Sequence, residues 1–169
     1  MLTGIRIIEI EGLGPGPFAA MLLADLGADV ICVHRKGGNP APGMPERSIL
    51  DRGKRSIELN LKDPQDIQTF KALTATADGL IEGFRPGVME KLGLGPQTCQ
   101  ALNPALVFGR MTGWGQDSAL SRTAGHDLNY ISLSGALWYA SPPGEVPLTP
   151  PTLVGDIGGG AMYLAVGLL

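Results

Sequence analysis

A chain of 169 residues, 44% apolar and 17% charged, has the length of one domain or slightly more, and its composition excludes a disordered chain or a coiled coil. A net charge of −3 gives no electrostatic support to nucleic-acid binding or to attachment at a membrane surface. The 25 glycines and 14 prolines lie between apolar runs and read as the tight turns of a compact α/β chain.

Ile5–Ile10 is a predicted strand, rich in β-branched residues and bounded by Gly4 and Gly12. The Gly-rich stretch Gly12-Leu13-Gly14-Pro15-Gly16-Pro17 follows. Phe18–Leu26 reads as a helix that is apolar almost all round and therefore buried, stopped by Gly27. Asp29–Val33 is a second strand, so the first 33 residues form a βαβ unit with a parallel pair. His34 to Glu46 reads as a loop. Ser56–Asn60 is a third strand. Asp63-Pro64 opens a helix, carboxylate as cap and proline in the first turn, with Ile67, Phe70 and Leu73 as its apolar stripe. Gly79–Glu82 is a fourth strand, Pro86–Leu92 and Pro96–Leu102 are short helices, and Leu106–Met111 is a fifth strand. Beyond Thr112 the pattern loosens. A helix is expected from about His126 to Leu133, and the proline-rich stretch Ser141–Pro151 must be extended or turned. A last helix starts near Gly155-Asp156.

No apolar run reaches the 18–20 residues or so that a membrane span needs. Met1-Leu2-Thr3-Gly4 leads straight into a strand, as expected of a chain without a leader, and a cytoplasmic protein is expected. Cys32 and Cys99 form no CxxC and read as two reduced thiols. With two cysteines and two histidines, no zinc site is expected. The apolar stretch Ala161–Leu169 carries no stop signal, which suits the N-terminal part of a longer chain or one covered by another chain.

Five places could carry chemistry, each with a plain structural alternative. The turn at 12–16 is a poor match to GxGxxG, and the acidic residue a nicotinamide site would want after strand two is replaced by His34-Arg35-Lys36. It is either a tight turn or a close backbone approach to some other ligand. His34-Arg35-Lys36 suits a phosphorylated nucleotide at a strand C-terminus, or is a solvated charge run. Glu82-Gly83-Phe84-Arg85-Pro86-Gly87 is a ligand loop or a local surface pair. His126 stands where a loop becomes a helix, near unpaired N–H groups that favour the neutral imidazole a general base requires. Asp156 is a helix cap or lies beside a ligand, and Gly158-Gly159-Gly160 after it costs the helix about 1 kcal/mol per glycine.

Taken in order, Glu11–Pro17, Leu26-Gly27-Ala28-Asp29-Val30, Glu82–Gly87, Met111-Thr112-Gly113-Trp114-Gly115, Gly125–Tyr130 and Val154-Gly155-Asp156 resemble the class III CoA-transferase superfamily. The match runs the whole chain and covers about the first half of a typical member. Transferases of that superfamily usually carry an aromatic residue where this chain has His126, and use the aspartate matching Asp156 as a nucleophile. Histidine there resembles the racemase branch, whose members act on α-methylacyl-CoA thioesters.

The resemblance implies a Rossmann-like open parallel sheet with helices on both faces. Residues 1–169 would be the N-terminal part of the large CoA-binding and catalytic domain, with the small domain absent. It implies inversion of the α-carbon of 2-methyl-branched acyl-CoA by proton transfer through an enolate, with His126 and Asp156 as the two proton carriers and backbone N–H groups near Gly155–Gly160 stabilising the enolate. CoA contacts carry over to Arg35, to Leu59, Asn60, Leu61 and Lys62, to Gly83, Phe84 and Arg85, and to Gly125, Asp127, Leu128, Asn129 and Tyr130. Lys91 stands where arginine is common, keeping the charge and losing the fork. A further supporting acidic residue of the family lies beyond Leu169. No cofactor is implied beyond the CoA of the substrate, no metal, no nucleic acid and no membrane span. The partner implied is a second copy, the two chains interlocked as rings.

Overall fold

The structure, a computed structural model, describes residues 1–38, 48–151 and 153–169. Five strands form one parallel sheet in the order β3-β2-β1-β4-β5: β1 (Arg6–Ile10), β2 (Asp29–Arg35), β3 (Arg55–Leu59), β4 (Gly79–Glu82) and β5 (Val107–Arg110). Helices cover both faces, so the strands are apolar on both sides. Ile8 and Ile10 of β1 join Phe70, Met89, Leu94 and Cys99 on one face, under α2 (Pro64–Thr74), α3 (Val88–Lys91) and α4 (Pro96–Leu102). Ile7 points the other way, with Ala19, Ala20 and Leu23 of α1 (Pro15–Asp25) and Ala161 and Ala165 near the C-terminus. The crowded alanines let α1 lie close against the last helices.

The order places β1 at the centre. The chain runs outward through β2 and β3, then returns to add β4 on the other side of β1. The crevice between the C-terminal ends of β1 and β4 is thus the topological switch point, where open parallel sheets bind ligands.

Several boundaries differ from the sequence-based expectation. α1 starts at Pro15 rather than Phe18, because Gly14 turns the chain with φ 63° and ψ −112° and both prolines sit where a first turn lacks N–H partners anyway. β2 continues through His34 and Arg35, which pair with Glu58 and Leu59 of β3. α3 starts only after Gly87, at Val88. Short 3-10 turns at Ile49–Asp51 and Ala136–Ala140 carried no sequence signal. The helix α5 spans Asp127–Leu133 with His126 as its N-cap. The largest difference lies at the end of the chain, where Leu153–Ala161 is a π-helix that runs into α6 (Met162–Leu168). The loop expected at His34–Glu46 falls, from residue 39 on, outside the described residues. Among those described, no helix is long and apolar enough to cross a membrane, and no group of three His, Cys, Asp or Glu side chains could hold a metal ion.

Candidate functional site

A cleft of about 710 Å³ opens at the switch point. Its floor is the turn from Glu11 to Pro17 after β1; its walls are Gly83-Phe84-Arg85 after β4, Met111–Trp114 after β5, Gly125-His126, and the π-helix at Gly155-Asp156 and Gly159-Gly160. All but the π-helix and the Gly125-His126 corner follow from the parallel sheet, which delivers three strand C-termini to one edge.

The wall after β5 folds back on itself. Trp114 Nε1 donates to the Ala124 carbonyl at 3.1 Å, and its ring meets Tyr130 edge to face with centroids 6.1 Å apart. A Cβ at Gly125 would stand 2.5 Å from Trp114 Nε1, so glycine is required for this closure. The closure carries the chain to His126, whose backbone N–H donates to Asn129 Oδ1 at 3.0 Å while its own carbonyl accepts the Asn129 N–H. This cap fixes His126 at the head of α5.

Asp156 comes from the other direction, in the π-helix. Its backbone N–H donates to Asp127 Oδ1 at 2.8 Å. The join admits no side chain at position 155: a Cβ there would overlap Asp127 Oδ1 and lie 2.7 Å from the Tyr130 ring. On its far side, Asp156 Oδ2 lies 3.3 Å from the position a Gly14 Cβ would take, so the positive-φ glycine of the first turn is also what leaves room for this carboxylate. Burial, then the Asp127 charge, raise the Asp156 carboxyl above the ordinary carboxylate value, and His126 acts the opposite way.

The three glycines that follow have a local reason. In the wide π turn a Cβ at Gly158 would stand 2.9 Å from the Leu153 carbonyl oxygen, with 3.2 Å to Val154 at Gly159 and 3.3 Å to Gly155 at Gly160. The Asp156 N–H, within the stretch expected to stabilise an enolate, is committed to Asp127.

Two polar networks brace the cleft from beneath. Glu82, at the end of β4, accepts the Phe84 N–H at 2.7 Å, and Arg110 Nε lies 3.3 Å from its other oxygen. Arg110 also donates to Gln116 at 2.7 Å and pairs with Glu90, tying the β4 and β5 loops together. Burial pushes Glu82 up to about 7, with the Phe84 N–H and Arg110 opposing. Under the first turn, Lys54 Nζ lies 2.6 Å from Glu9 Oε2 and donates to the Pro17 carbonyl at 3.0 Å; both side chains are 2% exposed.

A site at a Rossmann-type switch point fits many chemistries, and comparison with known proteins narrows the choice. The model of the family described as CoA-transferase family III matches residues 2–169. The chain belongs to CoA-transferase family III. It is 44% identical over 169 residues to the alpha-methylacyl-CoA racemase of Mus musculus, covering 100% of the chain and 43% of that protein. It is 45% identical over 168 residues to the Homo sapiens protein of the same name, covering 99% and 43%. The crystal structure of Rv3272 from M. tuberculosis superposes with a TM-score of 0.86 at 34% identity, covering 99% of this chain and 47% of that one. The chain thus spans under half the length of these relatives, and its fold is that of the family's large parallel sheet.

Of the residues that the family resemblance assigns to the site, Gly83, Phe84, Arg85, Gly125, His126, Tyr130 and Asp156 line the cleft. Arg35, Leu59, Asn60, Leu61, Lys62, Lys91, Asp127, Leu128 and Asn129 do not. Arg35 and Leu59 are paired at the ends of β2 and β3, on the same C-terminal edge of the sheet, followed by the turn Asn60–Lys62. Lys91 is exposed at the end of α3. Asp127 is buried with its carboxylate turned to the π-helix, and Asn129 serves the His126 cap. His34 Nδ1 lies 3.3 Å from Glu11 Oε1, which also brings Glu11 to the Arg35 N–H at 3.2 Å.

Sequence reasoning missed Glu9 and Lys54, and it gave no steric reason for Gly14 or Gly155. Glu9 had a signal, a charge in the middle of Ile7-Ile8-Glu9-Ile10, which demands a partner when the strand is buried. Lys54 had none, since it lies 45 residues farther along the chain in a polar stretch.

Proposed function

We propose that the protein racemises the α-carbon of 2-methyl-branched acyl-CoA thioesters. The observation that carries this reading is that His126 and Asp156, brought in by separate elements, line one cleft. The identity to two proteins named as racemases of this kind supports it. The thioester carbonyl acidifies the α-hydrogen. One of the two groups removes that proton, leaving an enolate, and the other returns a proton to the opposite face; no metal or redox group takes part. A raised Asp156 carboxyl suits a group that must give a proton as well as take one. The adenosine end of CoA would run along the sheet edge past Arg35 and Leu59–Lys62, the pantetheine past Gly83–Arg85, and the thioester to Gly125–Tyr130, with the main chain of Asp127, Leu128 and Asn129 at its rim and Lys91 as an outlying cation. Residues 1–169 are then the first part of the large domain, and two copies interlock; sedimentation of the intact protein as a monomer would refute the pairing.

The test is exchange without an acceptor. In deuterated water the intact enzyme should label the α-carbon of either enantiomer of a 2-methylacyl-CoA supplied alone. His126→Ala and Asp156→Ala should each suppress racemisation by at least ~10²-fold, the range a positioned acid or base contributes. A covalent acyl adduct on Asp156, with turnover only when a second acid is added, would sink the proposal in favour of acyl transfer. Rv3272, a relative named as a probable fatty acyl-CoA transferase and 35% identical over 177 residues, gives that outcome its weight.

A further inference from the structure

The buried carboxylate at position 127 is more than the seam between α5 and the π-helix needs. Asp127 Oδ1 accepts the Asp156 N–H at 2.8 Å, while Oδ2 is buried and has no hydrogen-bond partner among the described residues. An uncharged acceptor of the same shape would make the same bond without leaving an ionic oxygen unpaired in the interior, a costly arrangement. The charge itself is what requires a role. The elements packed on the π-helix offer Asp156 few other charges. α5 brings Asp127, His126 at its cap and the Tyr130 ring; α6 carries only the exposed Tyr163; α1 has only Asp25, at its far end and paired with Arg52. Glu11 and Arg85 line the same cleft.

We propose that Asp127 is a positioning residue for Asp156: it holds the π-helix through the Asp156 N–H and sets a fixed negative charge beside the proton carrier. The inference rests on the proton-carrier reading of Asp156 given above. Two consequences follow from one side chain. The hydrogen bond fixes where the Asp156 carboxylate stands against the Gly14 turn. The charge disfavours a second anion beside it, and so keeps a proton on Asp156 to higher pH than burial alone would. His126 works against this, and Asp127 adds to burial in keeping Asp156 able to donate.

Asp127→Asn separates the two effects, because it keeps the Oδ1 acceptor and removes the charge. In the intact enzyme the pH profile is the readout. The acid limb of α-proton exchange, for the enantiomer that Asp156 deprotonates, should move to lower pH. Asp127→Ala removes the bond as well and should lower kcat by about 10²-fold, the loss expected from a misplaced group, with KM for the acyl-CoA changed far less. An independent readout needs no activity: the Asp156 carboxyl carbon, followed by 13C NMR in the substrate-free protein, should titrate at lower pH in Asp127→Asn than in the parent. An unmoved Asp156 titration, or a raised KM with kcat intact, would overturn the inference and make Asp127 a cap or a CoA contact. Failure of acceptor-free exchange in the parent would instead count against the racemase reading, and the carboxyl titration would still decide the role of Asp127.

Discussion

The buried Glu9–Lys54 pair offers a severe test of how the first turn is held. Both side chains are 2% exposed and their charged atoms are 2.6 Å apart, so neither ion has water to fall back on. Lys54→Met keeps most of the aliphatic volume and removes the ammonium. Above the carboxyl's titration range this strands Glu9 as an unpaired buried anion, and the expected loss is about 3–5 kcal/mol. The loss depends on pH, and its sign is determined by burial. Burial already raises Glu9 above its ordinary value of 4.5 even with Lys54 lowering it; without Lys54 the carboxyl must rise further. A folded-state value above the unfolded one means the folded protein binds more protons between the two, so its stability falls as pH rises through that window. Unfolding by urea at about pH 5 and about pH 8 should therefore show a larger deficit at the higher pH. At low pH the residual loss is that of the bond to the Pro17 carbonyl, about 1 kcal/mol. Replacing both partners, Glu9→Leu with Lys54→Met, should recover most of the stability, since an apolar pair carries no desolvation cost. A deficit equal at both pH values, or a double variant no better than the single one, would refute the reasoning.

Gly155→Ala should destabilise the intact protein by about 2–3 kcal/mol in urea unfolding, because its Cβ would overlap Asp127 and Tyr130. Gly167→Ala in α6, with open space around it, should gain about 0.5–1 kcal/mol in the same assay. Glu82 is raised from 4.5 to about 7 by burial, so it contributes stability below the lower value that is lost as pH rises through the upper one; Glu82→Gln should flatten the unfolding midpoint over that range. Cys32 and Cys99 are buried and their thiols are pushed up by burial, Cys99 to about 11; maleimide followed by mass measurement should leave both unmodified in the folded protein at neutral pH.

What the sequence by itself determined is local and periodic. Short runs rich in apolar residues at 5–10, 29–33, 56–60, 79–82 and 106–111, separated by helices with proline or aspartate at their starts, establish an alternating α/β chain, because strand and helix periods differ and turn residues punctuate them. His126 and Asp156 stood out as candidates by residue type and surroundings, each with a plain structural alternative, and the family resemblance is what paired them. What tertiary structure decided is what depends on distance in space. The strand order put β1 beside β4 and so created the cleft. The π-helix stands where an ordinary helix start was expected, and Asp127, 29 residues away, takes the Asp156 N–H. Glu9 found Lys54 in the same way, through packing under α1. Such pairs leave no periodic trace, because the chain between the partners is free to have any pattern, and only the folded backbone brings a buried charge and its counterpart within 3 Å or so of each other.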